Sequence, residues 1–309
     1  KSDHADAMTL ANILRVDRAH HRLLPADSEL VQSVAVLARA QQDAVWNRQQ
    51  LSNQLRSLLR EYFPAALTVF QVKGIGLTSR EARAVLTAAP TPGRAALTTA
   101  RLATVLRRCG RERNIDAWAR RLHAAFQQEQ LRQLPTVEDA FGRQAQALLL
   151  QLDAACLAAD QLAEATHEVF SQHPDAAIIT SFPGLGDLTG ACVLAEIGDD
   201  RGWFADARAL KAYAGSAPIT RASGKSTAVH HRKVKNQRLA AAGYIWSFAS
   251  LKATGPRAHY DHRRHVGDRH ASALRNTFNR MLGCLFYCLQ TGQPYDEATA
   301  FGARFPAAA

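Results

Sequence analysis

Two stretches of the chain place residues for one helical stripe at alternating steps of three and four. The first runs through Leu30, Val34, Leu37, Gln41, Ala44, Arg48, Leu51, Leu55, Leu58 and Tyr62. The second runs through Phe141, Ala145, Leu148, Leu152, Ala155, Ala159, Leu162, Thr166 and Val169. Such spacing keeps one face of a long helix against a partner, as in a coiled coil. Each arm would be about 50 Å long at the α-helical rise. Their similar lengths imply an antiparallel pair with residues 64–136, a Gly/Pro-punctuated stretch of short helical patterns, inserted at its tip. Two ordinary amphipathic helices of a globular bundle are the alternative, and Gln41 and Arg48 on the stripe lean that way. β-branched runs are scarce in the 309 residues. The fold class expected is therefore mainly α.

The charge pattern narrows the partners. Lys plus Arg is 38 against 27 Asp plus Glu, a formal charge of +11. From Ala207 to Tyr260 there is no acidic residue and there are ten Lys or Arg. A basic stretch of this kind suits a polyanion such as nucleic acid. No apolar run approaches the roughly 18 residues a membrane span needs, so a membrane partner is not expected. The five cysteines contain no C-x-x-C pair, which fits a reducing cytoplasm better than a disulfide framework. The chain opens on Lys1 rather than Met, so an upstream segment is expected to be missing.

Four motifs carry possible chemistry. "SFPGLGDLTG" (181–190) is a tight Gly-x-Gly turn before an apolar helix and resembles a helix-hairpin-helix. Gly184 and Gly186 would let backbone approach a phosphate beside a helix N-terminus; a glycine-capped turn without a ligand is the alternative. "PITRASGKSTAVHHRKVKNQRL" (218–239) reads as an irregular loop after a helix ending near Gly215. In it, Ser223-Gly224 is flanked by Arg221 and Lys225, with Arg232, Lys233, Lys235 and Arg238 following. Cations can neutralise a phosphodiester and stabilise charge as a hydroxyl attacks it; equally, Ser-Gly can be a surface turn on a solvated face. Asp3 and Asp6 are three apart, so on a helix they share a face. With other acids and water they could hold Mg²⁺, or they could simply cap a helix N-terminus. "HYDHRRHVGDRH" (259–270) matches no zinc spacing and reads as a phosphate-facing basic loop.

Taken in order, "KSDHADAMTLANIL", the long-helix region, "FPGLGDLTGACVLAEIGD", "FADARALKAYAGSAPITRASGKS" and "HRKVKNQRLAAAGYIW" resemble the insertion sequence 110 family of transposases. These are the DEDD transposases, related to Piv-type DNA invertases. The resemblance covers nearly the whole chain. It implies five segments: 1–26, the end of an α/β RuvC-like domain; 27–63 and 137–173, coiled-coil arms; 64–136, a small helical insert; and 174–309, a helical transposase domain with a serine. By resemblance Asp3 and Asp6 are the last two of four Mg²⁺-binding acids, and Ser223 is the nucleophile that becomes transiently linked to a DNA phosphate. The resemblance further implies double-stranded donor and target DNA, a structured bridge-type RNA that guides the reaction, a dimer or tetramer whose subunits share active sites, and a bacterial cytoplasmic, nucleoid-associated location. The family's first two acids lie upstream of its Asp-x-x-Asp, so the four-acid site is expected to be incomplete here. The alternative expectation is a catalytically inactive DNA- or RNA-binding helical remnant.

Overall fold

The computed structural model describes residues 2–21, 23–70, 76–224 and 226–302. Lys225, among the residues expected to bind nucleic acid, lies outside the described residues. Two compact units form: residues 1–35 with 170–309, and residues 36–169. The described residues hold fourteen α-helices and one two-stranded sheet. The chain is mainly α, as its periodicity implies.

The unit of residues 36–169 is built on most of α2 (Glu29–Tyr62) and α7 (Pro135–Ser171). The stripe residues Leu51, Leu55, Leu58 and Tyr62 are buried, as are Ala145, Leu152, Ala155 and Ala159. Tyr62 stacks on Phe141 with centroids 5.2 Å apart, and Arg48 pairs with Asp160 at 3.8 Å. The end of α2 therefore meets the start of α7, so the two run antiparallel within this unit. Arg48 is accommodated on the stripe because its guanidinium reaches across to that carboxylate.

Between them, α3 (Pro64–Phe70), α4 (Arg80–Ala88), α5 (Thr99–Arg108) and α6 (Ile115–Phe126) close over one shared core. Pro64 opens α3 at the position where a missing N–H costs nothing, and Ser79 and Thr98 accept backbone N–H bonds as N-caps of α4 and α5. The buried Tyr62 hydroxyl donates to the Pro90 carbonyl at 2.7 Å. Glu138 receives Arg132 through two bonds of 2.7 and 2.8 Å and the Gly93 N–H at 2.9 Å. Burial pushes that carboxyl up, but these donors outweigh it and hold it below its usual value.

The other unit draws on both ends of the chain. α1 (Asp3–Asp17) buries no residue. Residues 26–28 dock on the turn after α9 (Asp187–Ile197). There the Asp27 carboxylate accepts the N–H groups of Asp199 and Asp200 at 3.0 and 3.2 Å. In return Asp199 accepts the Ser28 N–H at 2.9 Å, and Asp200 that of Ala26 at 3.0 Å.

The remaining helices of this unit are α8 (Ala176–Thr180), α10 (Ala207–Tyr213), α11 (Gln237–Ser250), α12 (Thr254–His265), α13 (His270–Thr291) and α14 (Glu297–Phe301). α11 packs on α9 and α13, and α13 also packs on α10 and α12. Their centre is Trp246, fully buried, edge-on to Phe182 and Phe278, with its indole N–H donated to the Pro183 carbonyl at 3.1 Å.

Two expectations about loops are corrected here. Residues 219–230 are a β-hairpin, β1 (Ile219–Ser223) and β2 (Ser226–His230), rather than an irregular loop. Of the expected phosphate-facing loop 259–270, residues 259–265 are helical, in α12, and only 266–269 form a turn before α13. In α12, His259 packs on Phe301, and burial, then the charges of Arg280 and Arg263, pull its pKa down to about 4. It is neutral near pH 7 and offers a phosphate no charge.

Candidate nucleic-acid interface

The hairpin has a two-residue connection, Gly224-Lys225, because Ser223 pairs with Ser226 across it. Such connections need positive φ at a central residue, and Gly224 has φ +55°. A Cβ at Gly224 would meet nothing within 4 Å. The glycine is there for the backbone angle, not for space.

Side chains on paired strands alternate between faces, and directly paired residues share one. The register Arg221↔Ala228 and Ser223↔Ser226 therefore puts Arg221, Ser223 and Ser226 on one face, with His230 further back opposite Ile219. All four polar residues are exposed. Among the described residues Arg221 has no carboxylate partner. The opposite face carries Thr220, Ala222, Thr227 and Val229. One face of the hairpin thus presents a cation and two hydroxyls, with no acid in the hairpin to oppose them.

The cations that follow differ in setting. Lys233 is exposed. Arg232 is half-buried, its Nε enclosed without a hydrogen-bond partner. The stem of Lys235 lies against Gly215 at the hairpin's root. There the Asn236 N–H bonds the Tyr213 carbonyl at 2.8 Å, and the Asn236 amide reaches Glu196 and the Tyr213 hydroxyl at 2.6 and 2.7 Å. Asn236 also caps α11. Arg238, on the first turn of α11, acts on Cys192. Burial and Glu196 push that thiol up to about 11 against its pull.

Gly184 and Gly186 belong to the turn between α8 and α9. Gly184 has φ +83°, and a Cβ there would lie 2.5 Å from the Ser250 nitrogen. Close backbone contact with the end of α11 thus accounts for that glycine without a ligand. Ser250 and Asn236 are at opposite ends of α11, about 20 Å apart by helical rise. The structure therefore separates the Gly-x-Gly turn from the hairpin's root. Gly186 caps α9 without a side chain, and nothing lies within 4 Å of where its Cβ would be. Asp187 occupies the first turn of that helix, where it competes with a phosphate for the helix dipole.

Asp3 and Asp6 are exposed in the first turn of α1, which Ser2 caps through the Ala5 N–H at 3.3 Å. Among the described residues no three His, Cys, Asp or Glu gather as a metal site. Mg²⁺ demands near-octahedral oxygen coordination, and two exposed carboxylates one turn apart provide no cage for it. These residues fit helix-terminal acids and do not by themselves fit a magnesium site. On α13, Asn279 accepts the Ser216 hydroxyl at 3.0 Å, and Arg280 bonds the Ala300 carbonyl and lies over Phe301. Both have structural partners.

The hairpin was missed although its signal is present. β-branched Ile219, Thr220, Thr227 and Val229 flank a Gly-Lys step, a short-hairpin pattern. Arg269 belongs to the basic motif 259–270, but its place near the root, beside Tyr244 and Ser272, is found only through the packing.

Comparison with known proteins defines the class. Residues 1–64 match a DEDD transposase profile of the IS110 type, and residues 176–263 match one described as "Transposase IS116/IS110/IS902 family". A transposase acts on DNA, so DNA is the substrate class these matches imply. The "Mini-circle putative transposase for IS117" of Streptomyces coelicolor is 61% identical over 311 residues, covering 100% of this chain and 75% of that protein. The 44.8 kDa protein of insertion element IS116 from Streptomyces clavuligerus is 30% identical, over 96% of this chain and 73% of its own. The 43.6 kDa protein of insertion element IS110 from S. coelicolor is 26% identical, over 99% and 75%. The chain belongs to the IS110 family of transposases.

Proposed function

We propose that the hairpin face of Arg221 and Ser223 is where this transposase meets the DNA strand it cuts. The Ser223 oxygen attacks a phosphorus, a seryl–phosphate ester forms and one bridging P–O bond breaks. The hydroxyl proton passes to a base, and the released deoxyribose oxygen takes one up. Arg221, with Lys225, Arg232, Lys233, Lys235 and Arg238 along the same segment, neutralises the backbone and the charge that develops in attack. The observation that carries this reading is the register, which sets an exposed serine beside an unopposed arginine on an acid-free hairpin. DEDD transposases characteristically use a divalent metal. Asp3 and Asp6 would contribute to holding it only together with further ligands, and no step is assigned to them.

The wider assignment follows the family resemblance. Residues 1–26 belong to a RuvC-like domain, 27–63 and 137–173 form coiled-coil arms that join copies of the chain, 64–136 is a helical insert, and 174–309 is the serine domain. The turn of Gly184 and Gly186 approaches DNA backbone in helix-hairpin-helix fashion through Gly186, which is open, while Gly184 packs on α11. A structured RNA selects the DNA, and the protein works in the bacterial cytoplasm on the nucleoid. No helix of the described residues is long and apolar enough to cross a membrane.

The test is covalent capture, using protein expressed from its own reading frame with end-labelled element DNA. Ser223→Ala should abolish the protein–DNA adduct with nucleic-acid binding nearly intact, and Ser226→Ala should keep the adduct. An adduct from Ser223→Ala would overturn the assignment. A second reading, binding without cleavage, draws on the lack of a three-ligand acid cluster among the described residues. It predicts salt-sensitive DNA binding with no adduct from the unaltered protein.

A further inference from the structure

At the root of the hairpin, within the same unit, a cavity of about 390 Å³ opens between the end of α10, the segment after β2, α11 and α13. Its walls include Ser216, Lys235, Tyr244, Arg269, Ser272 and Arg275. The volume lies in the range of small-ligand sites, roughly 300–1,000 Å³. Three cations reach it from different places in the sequence: Lys235 before α11, Arg269 at the N-cap of α13, and Arg275 inside α13. Among the described residues neither Lys235 nor Arg269 has a carboxylate partner. Arg275 donates to the Ser272 hydroxyl at 3.2 Å. Asp268, on which the Arg275 charge acts, is hydrogen-bonded by Arg263, Ser272 and Asn276. α13 begins at this wall, through Ala271 and Ser272, without a side-chain cap, so its positive end adds to the cationic field.

Aromatic rings line the cavity as well. The half-exposed ring of Tyr244 and the buried ring of Phe278 both line the cavity. One turn beyond Tyr244, Phe248 is exposed and meets His270 edge-on. Cations alone would serve a phosphate. Cations and an accessible aromatic ring lining one cavity of about 390 Å³ suit a base and its phosphate together. A paired base inside a duplex cannot enter such a recess; an extruded one can.

We infer that this cavity holds one unpaired nucleotide, its base against Tyr244 and its phosphate against Lys235, Arg269 and Arg275. The inference rests on the reading of the hairpin as a nucleic-acid interface and adds the class of ligand that its root takes.

The experiment compares the full chain's affinity for a matched DNA duplex with that for the same duplex carrying one bulged nucleotide, at fixed salt, by fluorescence anisotropy. The bulged duplex should bind roughly tenfold tighter, the order of one aromatic–base stack. Tyr244→Ala should bring the ratio near one, and Tyr244→Phe should keep it. Tyr244 is half-exposed, so both variants should fold, which a melting curve checks. Equal affinity for the two duplexes, or a preference that survives Tyr244→Ala, overturns this inference while leaving the hairpin reading in place. Failure to bind either duplex at low salt overturns both.

Discussion

Ser223 and Gly224 are adjacent and do different work. The serine is an exposed hydroxyl; the glycine supplies φ +55° to a two-residue turn with open space around it. Gly224→Asn should therefore preserve the hairpin, since asparagine tolerates that region, whereas Gly224→Val should disorder it. A non-glycine residue in the left-handed region costs roughly 1–2 kcal/mol, which matters for an exposed two-stranded hairpin of marginal intrinsic stability. Amide hydrogen exchange across residues 219–230 measures this directly. Gly184 is the opposite case. Gly184→Ala meets the α11 backbone at 2.5 Å with φ +83°, a clash no side-chain motion relieves. It should cost roughly 2–4 kcal/mol, the scale of overpacking combined with strain, read as a lowered urea midpoint. If the turn's glycines served only DNA, that midpoint would not move.

Helices declared themselves in the sequence where one face repeats. Leu51, Leu55, Leu58 and Tyr62 on α2, and Ala145, Leu152 and Ala155 on α7, are both the spaced residues and the buried ones. Leu55→Asp puts a carboxylate where exposure is 0% and should cost several kcal/mol, seen as an early loss of helical circular dichroism. The hairpin was less legible because strand alternation over five residues is a short signal, and charge dominated its reading. The docking of residues 26–28 on 199–200 was invisible, since no local pattern records a partner so far along the chain. The same holds for the cavity wall. Tyr244 lies on a helix whose apolar residues point several ways, and only packing on α9 and α13 shows which of them remain outside. Trp246 was readable as apolar but not as the centre of its unit. Trp246→Ala should remove roughly 3–5 kcal/mol, and a chemical-denaturation series checks it.

At the level of the whole molecule, depressed carboxylates, Asp199 and Asp268 among them, and the buried His259 tie stability to pH. Burial pushes Asp199 up, but Ser28 and His173 outweigh it and hold it below its ordinary value; the Arg263 hydrogen bond does the same for Asp268. A depressed folded-state pKa gives stability that is fully present above the unfolded value, about 3.9, and is lost as pH falls through the folded one. Buried His259, whose pKa is pulled down to about 4, adds an earlier loss that starts as pH falls below its unfolded value of about 6.5. Urea midpoints should therefore begin to fall below about pH 6.5 and drop further below about pH 4, and Asp199→Asn should flatten part of the lower drop. DNA affinity should fall steeply with salt if the basic segment contacts phosphates. The joint at Ser28 and Asp199 has a consequence for the order in which the protein comes into being. Its partners are 171 residues apart in sequence, and residues 36–169 lie wholly between them. During synthesis the inserted unit can acquire its core while the rest of the chain is still being made. The unit that carries the hairpin must wait, its first residues held in reserve, until the ribosome has delivered α9 and the turn that receives them.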